Sequence, residues 1–167
     1  MKRIQPSEIF FRSPLGWIRI EGGPKGIEAI DFCNIAPRSS QKSLEAKSLP
    51  VLRETMHQLQ EYFGGQRKQF TFRMNLKGTA FQKKVWSALQ RIPYGEVRSY
   101  ETIAYEMGNP RAVRAVGMAN SRNPIGIAIP CHRVIGKDGM LVGYAAGIER
   151  KLWLLEHEGV RLIRRGA

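Results

Sequence analysis

Cysteine is nearly absent. The 167-residue chain has two, Cys33 and Cys131, and they form neither a C-x-x-C pair nor a disulfide framework, so a reducing compartment is expected. Long apolar runs are missing too. No window reaches the roughly eighteen apolar residues of a membrane span, and "MKRIQPSEIFF" carries no apolar signal region, which speaks against insertion and secretion. There is no internal repeat and no low-complexity tract. Acidic residues are scarce: 14 Asp and Glu stand against 27 Lys and Arg, a formal charge of +13, and the excess is larger after Asn75 than before it. Such a balance favours a polyanionic partner, most simply nucleic acid, with a merely solvated basic surface an equal alternative before any motif is considered. With 43% apolar residues, the chain can bury a core as one large domain or two small ones.

The first third reads as strands and turns. "EIFFRS" and "GWIRIEG" flank the turn "SPLG", and "GIEAIDFC" follows "GGPKG", which predicts a small antiparallel meander. Residues 36 to 50 are polar and predict a loop or linker. Leu52, Met56, Leu59 and Phe63 recur at helical spacing before Gly64 and Gly65. "QFTFRMNL" alternates Phe70, Phe72 and Met74 and predicts one more strand. The character changes at Gly78. Thr79 and Gln82 spell a capping box ahead of the stripe Phe81, Val85, Leu89 and Ile92. Ser99 can cap a second helix, with Ile103, Ala104 and Met107 inward and Gly108 ending it. Asn109-Pro110 opens a third helix over about Arg111 to Asn120.

Two short helices joined by a tight Gly-Asn turn read as a helix-turn-helix. Val113 and Val116 face the other helices, and Arg111 and Arg114, three residues apart, share a neighbouring face. An ordinary helical hairpin with two solvated arginines fits equally well. The basic charge and the absence of acidic residues on this helix tilt the reading toward DNA.

"IPCHRVIG" then sets Cys131 beside His132 and Arg133, after the apolar run "IGIAI", which reads as a buried strand with a proline bend. Three readings of the thiol stand open. It is an inert buried side chain, the reading that also suits Cys33. It is a zinc ligand, although Cys33, Cys131, His57, His132 and His157 show no paired spacing. Or it is a nucleophile, which requires a base or positive surroundings to lower the thiol pKa. Adjacent residues in extended chain point to opposite faces, so contact between Cys131 and His132 needs a bend or a bridging water. "IERKLWLLEHEGV" is an amphipathic helix whose end carries Glu156 and Glu158. A carboxylate there opposes the helix dipole, and either holds an imidazole or is simply solvated.

At this point the residues resemble a known family. "IPCHRVIG", "FQKKVWSALQRIPYGEVRSYETIA", "GNPRAVRAVGMANSRNPI" and "LLEHEG" are similar, in order and spacing, to segments of the O6-alkylguanine-DNA alkyltransferases, also called methylated-DNA–protein-cysteine methyltransferases. The similarity is strong over about residues 78 to 160 and weak over 1 to 75. It implies an α+β chain. Residues 1–77 would be a small N-terminal antiparallel β-sheet plus helix domain. Residues 78–167 would be a mainly helical, winged helix-turn-helix-like catalytic domain with a basic C-terminal tail, "RLIRRGA".

The resemblance also implies roles. Cys131 takes the alkyl group, His132 is its base through a water, and Glu158 orients His132. Tyr100 donates to the leaving guanine, and Asn123 braces the site near the thiol. Arg114 is the finger that replaces a flipped nucleotide. Arg111, Ala112, Val113 and Gly117, with Ser99, form the DNA-binding set in the minor groove. Tyr144, Ala145, Ala146 and Gly147 form the loop over the substrate. Ala145 and Ala146 depart from the serine or small residue and the glycine that members often have there, which puts the range of accepted alkyl groups in question. The expected partner is double-stranded DNA carrying O6-alkylguanine, bound with little sequence preference by a monomer. No cofactor or metal and no membrane are expected. The expected compartment is cytoplasmic, with the nucleoid, or in a eukaryote the nucleus, as the further options.

Overall fold

The computed structural model describes residues 7–34 and 49–161. The predicted linker over 36–50 therefore lies almost wholly outside the described residues, as does the basic tail beyond Arg161. The chain divides into two compact units: residues up to Lys77 together with Pro124–Gly126, and Gly78–Asn123 together with the chain from Ile127 onward.

In the first unit, β1 (Ser7–Ser13), β2 (Gly16–Gly23) and β3 (Gly26–Cys33) form the expected antiparallel meander in the order β1-β2-β3. Side chains alternate between faces along a strand. One face accordingly buries Ile9, Ile18, Ile20 and Ile30, with Ile9 opposite Ile20 and Ile20 opposite Ile30. The other carries Arg19, whose guanidinium bonds Glu21 at 2.6 Å and Asp31 at 2.7 Å. Helix α1 (Pro50–Phe63) packs on this sheet. Its buried positions are Leu52, Thr55, Gln58, Leu59 and Tyr62, while Met56 and Phe63 are only half-buried. Spacing alone hid this shift because two of the buried residues are polar. Gln58 explains itself: its amide accepts from Thr71 N at 2.9 Å and donates to Thr71 Oγ1 at 2.8 Å.

That side-chain pairing replaces part of the strand expected over "QFTFRMNL". The segment makes only one bridge, Ile27 with Met74, with Ile27 N–H donating to Arg73 O and Asn75 N–H to Ile27 O. The strand expected in "IGIAI" is likewise not formed. Ile125 bridges Ile30. Ile127 then turns through φ 69°, a left-handed conformation rare for a β-branched residue. Cys33 is half-buried rather than enclosed.

In the second unit, α2 (Ala80–Gln90) starts at the predicted capping box: Thr79 N–H donates to Gln82 Oε1 and Gln82 N–H to Thr79 Oγ1. Val85 and Leu89 are buried as expected, but Phe81 is 36% exposed. Trp86 takes its place in the core, and Trp86 Nε1 donates to Ala119 O at 2.9 Å. After the two-residue strand β4 (Arg98–Ser99), Ser99 caps α3 (Tyr100–Glu106) by accepting from Thr102 N. The third helix starts later than its sequence suggests. Pro110–Ala112 form a 3-10 turn, Asn109 makes no side-chain cap, and α4 runs Val113–Ser121. Arg111 thus lies in the turn and Arg114 in the helix. A second 3-10 turn, Cys131–Arg133, leads into β5 (Val134–Ile135), and α5 (Ile148–His157) ends the unit. Strands β4 and β5 pair in parallel, Arg98 with Val134 and Ser99 with Ile135. This pairing delivers Tyr100, the next residue, to the neighbourhood of the cysteine turn. Among the described residues no helix is long and apolar enough to cross a membrane.

Candidate active site

Glu158 organises the site. It caps α5 and is 4% exposed. Its Oε1 accepts from His132 Nε2 at 2.8 Å and Arg133 Nη2 at 3.0 Å, and its Oε2 accepts from Arg133 Nε at 2.8 Å and Gly95 N at 3.4 Å. Burial raises a carboxyl pKa, but the bonds from His132 and Arg133 more than reverse that, so Glu158 stays far below the usual carboxylate range. The dipole cost of a helix-end carboxylate is offset by a cation and an imidazole. Arg133 is itself fixed by Ile92 O at 2.7 Å and by the ring of Tyr94. Gly95 turns through φ +81°, where a Cβ would stand 3.0 Å from Glu158 O. The "IPYGE" break is therefore a fitted turn against the Glu158 backbone, with the Gly95 N–H turned to its carboxylate.

An ionised carboxylate only accepts, so His132 Nε2 carries the hydrogen. The lone pair is left on Nδ1, a buried atom with no hydrogen-bond partner. Burial lowers the His132 pKa despite the pull of Glu158, so the ring is a neutral base. With Nε2 engaged and Nδ1 unpartnered, His132 makes no direct hydrogen bond to its neighbour Cys131.

Asn123 shapes the cysteine turn. Its Nδ2 donates to Ile129 O at 2.8 Å and to Cys131 Sγ at 3.1 Å. The thiol is 7% exposed. Burial pushes its pKa up, while Asn123, the charge of Lys151 and the Tyr144 side chain pull it down. The net result is a protonated thiol surrounded by groups that favour the thiolate. Lys151, at 0% exposure, sends its ammonium to the carbonyls of Val134, Val142 and Gly143, pinning the loop before α5 to β5. Burial lowers its pKa to about 8.

A pocket of about 320 Å³ opens over Sγ, lined by Tyr100, Gly117, Asn120, Asn123, Cys131 and the loop at 143–145. Of the residues singled out in the sequence, Tyr100, Gly117, Asn123, Cys131, Tyr144 and Ala145 meet there, with His132 and Glu158 behind the thiol. Burial and the neighbouring Cys131 raise the Tyr100 pKa, keeping its hydroxyl a donor. Ser99, Arg111, Ala112, Val113, Arg114, Ala146 and Gly147 do not line the pocket. Arg111 and Arg114 are exposed, and Ala146 O accepts from Arg150. A larger depression, about 390 Å³, lies by Ala88, Arg91 and Glu106 and contains no nucleophile. Among the described residues no three His, Cys, Asp or Glu gather as metal ligands.

Sequence reasoning had missed three contributors: Arg133 as a partner of Glu158, Lys151 and Asn120. A signal existed for two. Lys151 falls on the apolar stripe with Leu154 and Leu155, and Asn120 falls four residues after the buried Val116. Polar residues at buried spacing are informative.

Because the folded pKa of Glu158 lies below its unfolded value, near the ordinary 4.5, its ionised form contributes stability above that pH. The contribution drains as pH falls toward the folded pKa. Glu158→Gln should cost about 3 kcal/mol near neutrality, since Arg133 is left as an unpaired buried charge. It should also flatten the acid-induced loss of stability, read by chemical denaturation from neutral pH downward. Equal acid sensitivity in the two proteins would contradict this.

Comparison with known proteins places the chain in a family. The family model described as "6-O-methylguanine DNA methyltransferase, DNA binding domain" matches residues 80–160, and "6-O-methylguanine DNA methyltransferase, ribonuclease-like domain" matches residues 8–76. A methylated-DNA–protein-cysteine methyltransferase of Methanosarcina acetivorans is 46% identical over 89% of this chain and 96% of its own. The constitutive enzyme of Bacillus subtilis is 53% identical over 74% of this chain and 75% of its own. The crystal structure of Mycobacterium tuberculosis OGT in complex with DNA superposes with a TM-score of 0.80 at 40% identity, over 91% of this chain and 92% of that one. The α+β fold expected from the sequence is thereby supported, and the chain belongs to the methylated-DNA–protein-cysteine methyltransferase family.

Proposed function

We propose that this chain repairs DNA by direct reversal, moving a methyl or other alkyl group from O6 of guanine, or O4 of thymine, to Cys131. The single observation that carries this is a buried thiol facing a base-sized pocket, with an oriented neutral imidazole behind it. His132 Nδ1 takes the Cys131 proton through a water, and Glu158 stabilises the resulting imidazolium. The thiolate attacks the alkyl carbon, the carbon–O6 bond breaks, and its electron pair goes to the guanine. The Tyr100 hydroxyl supplies a hydrogen bond or proton to that leaving base. Asn123 donates to Sγ and holds the turn that aims it. The product is a thioether. No water-driven second step releases it, so each molecule acts once.

A thiol in such a pocket cannot reach a stacked base, so the nucleotide must be flipped out. Arg114, exposed on α4, is the candidate to fill the gap in the stack. Arg111, Ala112, Val113 and Gly117, with Ser99 at the start of α3, complete the surface that docks in the minor groove. A Cβ at Gly117 would only touch the Tyr100 ring at 3.8 Å. The protein's own packing therefore leaves room there, and close approach of DNA gives the glycine a reason. Phosphate contacts make binding salt-sensitive and nearly indifferent to sequence. We assign residues 1–77 to a supporting domain and 78–167 to DNA binding and transfer, in a monomer. A free reactive thiol suits a reducing cytoplasm or nucleoid, or the nucleus in a eukaryote. Tyr144, Ala145, Ala146 and Gly147 close the substrate side. Ala145 lacks a hydroxyl to offer O6, which bears on alkyl range.

Two other classes remain distinguishable. A damage sensor without chemistry needs no nucleophile, and a thiol hydrolase needs no basic helix pair. After incubation with a duplex containing O6-methylguanine, the Cys131 peptide should be heavier by one CH2, in a one-to-one ratio with repaired base. Cys131→Ala should bind the duplex and transfer nothing. An unmodified peptide beside repaired DNA, or multiple turnover, would refute the mechanism. Arg114→Ala should slow duplex repair by about tenfold or more, of order 1.4 kcal/mol, yet react normally with the free methylated base. Unimpaired duplex repair would remove the flipping role.

A further inference from the structure

Met118 is 59% exposed, and among the described residues only Tyr105 is a more exposed large hydrophobic. A single exposed apolar side chain is ordinary; the place of this one is not. Residues three and four apart are neighbours on a helix surface, so Arg114, Met118 and Ser121, all exposed, form one ridge along α4. The opposite side buries Val116, Ala119 and Asn120, and Trp86 Nε1 holds Ala119 O there. The ridge is thus fixed from behind and faces outward. The Ser121 hydroxyl donates back to Met118 O at 2.8 Å, which leaves the methionine as the long side chain beside Arg114. The surrounding charge is of one sign. Arg111, Arg114 and Arg122 are exposed, and no Asp or Glu occurs between Glu106 and Asp138. Such a surround repels a second copy of this basic chain and attracts a polyanion.

The geometry points to Met118 as an apolar wedge in the DNA minor groove, one helical turn from the arginine that fills the gap left by the flipped nucleotide. The inference rests on the docking surface proposed above and extends it. One turn is about 5.4 Å and bases stack about 3.4 Å apart, so the wedge meets the duplex within about two steps of that gap. Its partners there are deoxyribose carbons and the edges of the flanking bases. Apolar side chains, Met among them, act as wedges in minor-groove binding, and the unstacking they cost is offset by contact with the opened duplex. Next to a base that must leave the stack, part of that unstacking is already required. Methionine suits the place. It is unbranched and adapts to irregular surfaces, and it carries no hydrogen-bond donor, so it adds affinity without reading sequence.

The test measures equilibrium binding to a duplex containing O6-methylguanine over a salt series, in the Cys131→Ala background so that no transfer intervenes. Met118→Ala and Met118→Gln should each weaken binding about tenfold, or 1.4 kcal/mol, and Met118→Leu should bind like its parent. The slope of log affinity against log salt should stay the same, because no phosphate contact is lost. Equal binding in every variant is the result for a merely solvated methionine and overturns the wedge. Weaker binding with a shallower salt slope also overturns it, since the helix has then lost phosphate contacts rather than an apolar one. The Cys131 peptide of the wild-type chain is weighed after incubation with the same duplex. Alkyl transfer beside either overturning result strikes the wedge alone and leaves the repair reading intact. No transfer and no binding to this duplex strikes both.

Discussion

A carboxylate taken out of water loses several kcal/mol of hydration, and only well-placed donors restore it. Glu158 is that carboxylate, and its three donors come from two separate pieces of chain: the turn at Gly95, and the cysteine turn, which supplies the imidazole of His132 and the guanidinium of Arg133. Each donor is therefore held where the carboxylate needs it. The turn after α2 closes onto the end of α5, and the 3-10 turn of residues 131–133 directs two successive side chains at one anion. With His132 and Arg133 committed inward, Cys131 is left facing the pocket. The adjacency of cysteine and histidine thus serves to send them apart rather than to join them.

In the proposed transfer, the same arrangement keeps the nucleophile latent. Burial holds Cys131 protonated, while Asn123, Lys151 and Tyr144 reduce the cost of ionising it. Lys151 couples this to the loop before α5, because the ammonium whose field favours the thiolate also binds the carbonyls of Val142 and Gly143. In the proposed reaction, a base entering the pocket completes the exclusion of water that makes these interactions strong.

The sequence was most legible where local rules decide structure. The capping box at Thr79, the cap at Ser99 and the strand alternation of the meander all stand where their patterns put them. It was least legible where a side chain replaced backbone. Gln58 takes over the pairing of Thr71, so an alternating segment is not a strand, and the "IGIAI" run is bent through Ile127 instead of extended. The candidate site residues were singled out mostly through resemblance. By spacing alone Cys131 remained an open choice and Glu158 fitted a solvated helix end. Lys151 and Asn120 left a local trace, a polar residue at buried spacing, but their surroundings, like the pairing of Arg133 with Glu158, became visible only with tertiary structure, because nothing local reveals which buried polar group answers which.

The central claim is that Glu158 fixes His132 as a neutral base with its hydrogen on Nε2 and its lone pair on Nδ1. The 15N chemical shifts of the His132 ring, followed against pH, test this directly. The account predicts a protonated Nε2, a bare Nδ1 and no titration near the ordinary histidine value of about 6.5. A hydrogen on Nδ1, or an imidazolium at neutral pH, would contradict it.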